Sequence, residues 1–343
     1  MEQKGRLTWI SVANVLACLA VVFLHTNVCF WSYEPDVTWQ TANGIETIFY
    51  WAVPVFFMVS GATLMDYRDR YSTGTFLKKR FVRTMIPFLF WSLFSFVYSV
   101  VLRHWPCDGL RDAISGLISC RYMSIYWFFP ALFAVYLSIP LLSLVPKEKR
   151  ISAFSFTAVA AFVTISVLPT LCSVAGIAYN DQLQLPVSGG YVLYLLLGYL
   201  IANHDFTRKQ RGLFYALGVV GWLIHMIGTA VLSLRAGAIV GTYKGSTNFP
   251  AVMQAFGLLL FLKNVDWDRL LGRAVGVVSN MTKVTFGVYL IHYYLIDVIV
   301  SKTDLDFRSL LWRTAGALGV FAVSMGISWI LSKIPVVKKT IGV

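Results

Sequence analysis

Charge is what this sequence has least of. Only 13% of its 343 residues are Asp, Glu, Lys or Arg, against about 25% in a soluble domain. Hydrophobic residues make up 57%, and the mean hydropathy is +0.68. These figures exclude one large soluble core and indicate a chain that crosses a bilayer many times. Cysteine is sparse too. The five present (Cys18, Cys29, Cys107, Cys120, Cys172) form no C-x-x-C and no Cys/His ligand spacing, so no metal site is expected. Cys107 and Cys120 share one loop, where pairing and free thiols are both open. A glycine-rich phosphate loop, low-complexity tracts, a convincing internal repeat and a readable Ser-His-Asp arrangement are all missing.

The net charge is +13, which in another setting would point to nucleic acid. Here the basic residues sit at the ends of apolar segments, the pattern of topology signals, so no nucleic-acid partner is expected. Lys4 and Arg6 precede the first apolar run as in a signal peptide. That run is too long for a signal core and has no small-residue cleavage site, so it reads as a retained span.

Ten segments approach the ~20 residues a spanning helix needs. They lie near residues 9–30, 46–65, 84–102, 124–145, 152–172, 189–203, 212–234, 249–263, 284–301 and 309–332. The sixth and eighth are short. Twenty-one of the 29 Lys and Arg residues fall on the side that holds both ends of the chain. The other eight are Arg103, Arg111, Arg121, Arg235, Lys244, Lys302, Arg308 and Arg313. The expectation is an all-α integral membrane protein, one polytopic domain over residues 1–343 with about ten transmembrane helices and both termini cytoplasmic.

Within the first span, Asn14 and His25 are eleven residues apart, three turns plus roughly 20°, so they share a face about 16 Å apart along the axis. An imidazole in lipid is costly unless it faces a polar interior, which makes His25 a functional candidate; a packing hydrogen bond is the plainer alternative. The same cost applies to His292, which forms a polar stripe with Thr285 and Tyr289 at i, i+4 and i+7. His225 has no such stripe and reads as structural. Ser60-Gly61 suits close helix packing, or a serine lining a cavity. Lys78-Lys79-Arg80-Phe81-Val82-Arg83 presents a basic face at a helix entry, either an anchor for lipid headgroups or a phosphate clamp. Tyr126-Trp127-Phe128-Phe129-Pro130 is an interfacial aromatic belt or the wall of a pocket.

Taken in order, these stretches resemble the acyltransferase-3 family of multi-spanning membrane enzymes, in particular its O-acetyltransferases of surface glycans such as the enterobacterial common antigen group. The likeness rests on Asn14 through His25, Val53-Pro-Val-Phe-Phe-Met-Val-Ser-Gly61, Arg80-x-x-Arg83, Tyr126-Trp-Phe-Phe129 with Tyr136 and Pro140, and Gly287-Val-Tyr-Leu-Ile-His292. The resemblance implies a multi-pass protein of the plasma (bacterial inner) membrane. Its donor would be a cytoplasmic acyl-CoA, acetyl-CoA above all, and its acceptor a hydroxyl on a glycan or lipid-linked glycan. It further implies that His25 is the general base, that Arg80 and Arg83 with Lys79 hold the CoA phosphates, and that Asn14, Ser60, Tyr126, Trp127, Tyr289 and His292 line the site. The family pattern has Arg or Lys where Asn14 stands. An Asn offers hydrogen bonds but no charge, so either Arg6 reaches the site or the chemistry is weakened, altered or absent. A transporter or exporter of a small solute or glycan is the alternative reading, and a catalytically silent scaffold a third.

Overall fold

The computed structural model describes the backbone over residues 2–343 and the side chains from residue 8 onward, so the side chains of Lys4 and Arg6 lie outside the described residues. Among these residues there are helices and no strands. In chain order they are α1 (Glu2–Thr26), α2 (Val37–Phe49), α3 (Ala52–Leu64), α4 (Thr73–Arg80), α5 (Ile86–Val97), α6 (Leu110–Ile118), α7 (Phe128–Leu142) and α8 (Lys147–Ala161). There follow α9 (Leu168–Ala175), α10 (Val192–Asn203), α11 (Arg208–Ala236), α12 (Phe249–Asn264), α13 (Trp267–Leu271), α14 (Val275–Lys302) and α15 (Ala317–Ser332). π-helical turns fuse α4 to α5 at Phe81–Met85 and α8 to α9 at Phe162–Val167, extend α5 at Tyr98–Leu102 and lead into α15 at Trp312–Gly316.

Eight helical stretches among the described residues are long and apolar enough to cross a membrane, where ten spans are expected from the sequence. The difference lies in the sixth and eighth. α10 has 12 residues and α12 has 16, about 18 and 24 Å of helix against a hydrocarbon core of about 30 Å. The second segment also starts earlier than its hydropathy suggests. Asp36 accepts a hydrogen bond from the Trp39 amide at 2.7 Å and caps α2, so a helix begins inside the stretch read as a loop. α2 then passes into α3 through a turn at Tyr50-Trp51.

In lipid the hydrophobic effect does not press helices together, so they associate by close packing of small residues. α3 crosses α10 with the backbones in contact. A Cβ added at Gly61 would stand 1.9 Å from the Leu195 carbonyl oxygen, and one at Gly198 would stand 1.8 Å from that of Met58. The Ser60-Gly61 pair therefore does serve helix packing. α11 and α12 meet the same way, through Gly221 and Gly257. α1 lies between α3, α14 and α15, with Ala13, Ala17, Ala20 and Val22 fully or almost fully buried.

An ion pair sits inside this apolar packing. Lys244 Nζ is 2.6 Å from Glu46 Oε1, with side chains 2% and 5% exposed. The ammonium is 4.1, 4.7 and 4.8 Å from the ring centroids of Tyr50, Trp31 and Phe30, so three π-faces replace the water it has lost. Near the same end of the bundle Arg308 forks onto Glu34 at 2.5 and 2.6 Å and clasps two loops together. That guanidinium holds the Glu34 carboxyl below the usual carboxylate range. All five cysteines, Cys107 and Cys120 included, are free thiols.

Two stability outcomes follow from this packing. Gly198→Ala should cost about 3 kcal/mol or more, because a backbone carbonyl cannot rotate aside as a side chain can. Gly212→Ala, with nothing within 4 Å of the new methyl, should be neutral or stabilise by up to ~1 kcal/mol. Thermal denaturation in detergent checks both. Glu46→Gln should destabilise by about 3–5 kcal/mol by stranding the buried ammonium, and Glu46→Gln combined with Lys244→Met should recover much of that loss; equal melting of the single and double variants would contradict it.

Candidate functional site

α1 and α14 pack side by side, and their two histidines meet. His25 Nδ1 lies 2.7 Å from His292 Nε2, with the rings stacked at 5.0 Å between centroids and 12° between planes. His292 Nδ1 lies 2.9 Å from the Val288 carbonyl oxygen one turn back. These bonds fix both tautomers by elimination. A carbonyl only accepts, so His292 Nδ1 carries the proton and His292 Nε2 offers its lone pair. The proton between the rings then belongs to His25 Nδ1. His25 Nε2 is left as a bare, basic nitrogen. Its ring and that of Tyr293 stand nearly perpendicular, 5.8 Å between centroids.

His25 opens onto a cavity of about 210 Å³ bounded by Thr26, Val28, Tyr293, Ile296, Asp297, Val300, Phe307 and Trp312. A second cavity, about 230 Å³, lies toward the start of α1 and collects much of what the sequence singles out: Asn14, Ser60, Arg80, Tyr136, Thr285 and Tyr289, with Phe56, Phe128 and Phe286 among its apolar walls. The two cavities share no lining residue. Between them stand Tyr289, whose ring lines the second cavity and lies 5.9 Å from that of His292, and the histidine pair itself. A third cavity of about 280 Å³, among α8, α10, α11 and α12, is almost wholly apolar and lies apart from these groups.

Arg80 is the cation of the second cavity. Its guanidinium stands 5.8 Å from the Tyr136 ring centroid and 5.9 Å from that of Phe76, and its Nε is buried without a hydrogen-bond partner. Such a group fits an anion with free oxygens, and phosphate is the usual match for a guanidinium fork. Arg83 does not join it. The π-turn over Phe81–Met85 closes i→i+5 bonds, so three residues on from Arg80 no longer means the same face. Arg83 is exposed, as is Lys79, whose ammonium lies 4.1 Å from the Tyr71 ring centroid. The single basic face expected from α-helical spacing is thus split by a change of helix type.

Asn14 donates from Nδ2 to the Ile10 carbonyl at 3.1 Å, which leaves its amide oxygen for the cavity it shares with Arg80. The positive charge that Asn14 lacks is therefore present in the same cavity, carried by Arg80. Ser60 bonds back to the Phe56 carbonyl at 3.0 Å and also lines that cavity. Tyr126 and Tyr289 staple the segment before α7 to α14 by reciprocal bonds: Tyr126 Oη donates to Leu290 O at 2.9 Å, and Tyr289 Oη donates to Ile125 O. Trp127 is 44% exposed, tilted against Tyr191 and outside both cavities. His225 also lies away from them. It is fully buried against Tyr50, on a stripe with Gly218, Gly221, Thr229 and Ser233 that a hydropathy reading does not show. Among the described residues no group of three or more His, Cys, Asp or Glu could hold a metal ion.

Sequence reasoning did not place Asp297 or Arg103, which the fold brings to the His25 cavity and its rim. The only available signal was a carboxylate five residues beyond His292 on one helix.

The fold and site define a multi-pass, all-helical membrane protein with a tautomerically fixed histidine pair and, on the same central helix, a separate cationic cavity. The model of an acyltransferase domain matches residues 7–333, nearly the whole chain, and the protein belongs to that acyltransferase-3 family. No curated protein and no solved structure matches the chain. The family makes it a membrane acyltransferase in general terms.

The tautomer assignment has a direct spectroscopic consequence. With nitrogen-15 histidine at neutral pH, His25 should show a protonated Nδ1 and a bare Nε2. His292→Leu should return it to a mixture dominated by the Nε2–H form that free imidazoles of histidine prefer. An unchanged His25 spectrum in that variant would contradict the inter-ring bond.

Proposed function

We propose that this protein is an O-acyltransferase of the plasma (bacterial inner) membrane that moves an acyl group, acetyl in the first instance, from cytoplasmic acyl-CoA to a hydroxyl of a cell-surface glycan or its lipid-linked precursor. The observation that carries the reading is the bare Nε2 of His25, held in that state by His292, on a residue that lines a cavity. The Lys and Arg asymmetry supports placing the Arg80 end of α1 at the cytoplasm, where CoA is found, and His25 toward the outer face.

The chemistry follows from that placement. An acceptor hydroxyl in the His25 cavity gives its proton to Nε2 as its oxygen attacks the thioester carbonyl. The resulting imidazolium keeps its Nδ1 proton on His292 Nε2, so positive charge is shared across the pair. Collapse of the tetrahedral intermediate breaks the C–S bond and expels CoA thiolate, which takes the proton back from Nε2. The ester and the free thiol leave, and His25 returns to its starting tautomer. Arg80 binds phosphate in the second cavity, where the amide oxygen of Asn14 is an acceptor for a donor group of the CoA. The thioester has to pass Tyr289 to reach His25, which makes that ring the narrow point of the route.

His25→Ala should lower transfer by the ~10²–10⁴-fold a positioned base supplies, with membrane insertion unchanged; near-normal transfer would remove the base. Arg80→Ala should abolish saturable acetyl-CoA binding to the purified protein, and Arg83→Ala should weaken it less. A transporter on the same fold predicts no CoA binding even at millimolar concentration, and that result would overturn the enzymatic reading.

A further inference from the structure

The cavity at His25 contains a second chemically competent group. Asp297 sits on α14 and lines the same space. Its carboxylate is held from one side only: Oδ2 receives the Tyr98 hydroxyl and Arg103 Nε, the latter at 2.9 Å, and Arg103 Nη2 also reaches the Asp297 backbone carbonyl at 3.2 Å. None of these bonds uses Oδ1. The side chain is 33% exposed, so it is neither sealed in packing nor free to rotate. A carboxylate oxygen fixed in this way accepts a hydroxyl proton in a short, charge-assisted bond of roughly 2.5–2.7 Å. The remaining walls include the rings of Tyr293, Phe307 and Trp312, the surfaces against which the C–H faces of a sugar pack.

We infer that the His25 cavity is a sugar-ring site in which Asp297 Oδ1 accepts a hydrogen bond from a second hydroxyl of the acceptor, next to the one that His25 deprotonates. This inference rests on the acyl-transfer reading for the identity of the reacting hydroxyl, and extends it to the substrate's shape. The preferred acceptor carries two neighbouring hydroxyls on one ring, as a pyranose does. At about 210 Å³ the cavity is smaller than the ~300–1,000 Å³ of pockets that enclose a drug-sized ligand, which matches one ring with the rest of a glycan left outside. Asp297 is a positioning and specificity residue here. It touches the acceptor without exchanging a proton with it, and Arg103 acts only by aiming it.

The test measures sugar binding without any donor present. Saturation-transfer nuclear magnetic resonance is recorded on the full chain in detergent with the methyl β-pyranosides of glucose, galactose and mannose, and with each singly deoxygenated analogue of the best binder. The expected result is saturable binding of at least one glycoside, loss of about tenfold or more on removal of one particular ring hydroxyl, and a similar loss with the intact sugar on Asp297→Asn. In Asp297→Asn the deoxy analogue should then lose little further. Acetyl-CoA binding of Asp297→Asn should match the unaltered protein, which separates loss of the sugar contact from loss of the fold. Should that variant fail to fold, the deoxy series on the unaltered protein decides alone. No saturable glycoside binding, or equal loss for every deoxy analogue, overturns the inference. Sugar binding that depends on Asp297 in a protein that binds no acetyl-CoA would sink the acyl-transfer reading and leave this one standing; CoA binding without sugar binding would do the reverse.

Discussion

Everything at this site depends on one hydrogen bond between two imidazoles. A histidine in an apolar interior needs a partner for its N–H, and the simplest solution, a backbone carbonyl, is taken by His292 on its own helix. His25 has to use His292 instead. The order of donors and acceptors that results is directional: Val288 carbonyl, His292, His25, then a bare nitrogen. Reversing His292 would leave a carbonyl facing a lone pair, and reversing His25 would set two lone pairs against each other, so the arrangement needs no charged residue to hold it. An uncharged orienter suits a membrane interior, where an aspartate in that role would itself have to be desolvated.

The surrounding structure keeps that bond in place and separates the groups it must not touch. Backbone contact at Gly61 and Gly198 fixes α3 on α10, and reciprocal tyrosine bonds fix the segment before α7 on α14. The same tyrosine that staples also divides. Tyr289 is at once a wall of the Arg80 cavity, a neighbour of His292 and a hydrogen-bond donor to Ile125. It is thus the residue that lines the cationic cavity and also stands against the histidine pair.

Much of this was legible in the sequence, and what was not has identifiable physical reasons. Rarity of ionisable groups in apolar segments singles out His25 and His292, and the basic run at a helix entry singles out Arg80. Their relation was not readable, because His25 and His292 are 267 positions apart and no local periodicity carries that contact. The start of α2 was not legible since its buried face is Trp39, Ala42, Asn43, Glu46 and Thr47, three of the five polar. Hydropathy cannot recognise a helix whose inward side carries an ion-pair partner and amides. Asp297 was visible but could not be aimed, as its orientation is set by Tyr98 and Arg103 from a different segment. The relation of Arg83 to Arg80 was not legible because the spacing rule assumes an α-helix where the chain forms a π-turn.

That turn has an electrostatic consequence. Two guanidinium groups three residues apart end in different media, Arg80 half-buried under aromatic rings and Arg83 in the open. Mobile counterions crowd around the exposed charge and mask it within a Debye length of about 8 Å at physiological ionic strength, whereas the enclosed one keeps most of its field. A single four-residue motif thus yields one cation that is sensitive to the composition of the surrounding electrolyte and one that is nearly indifferent to it.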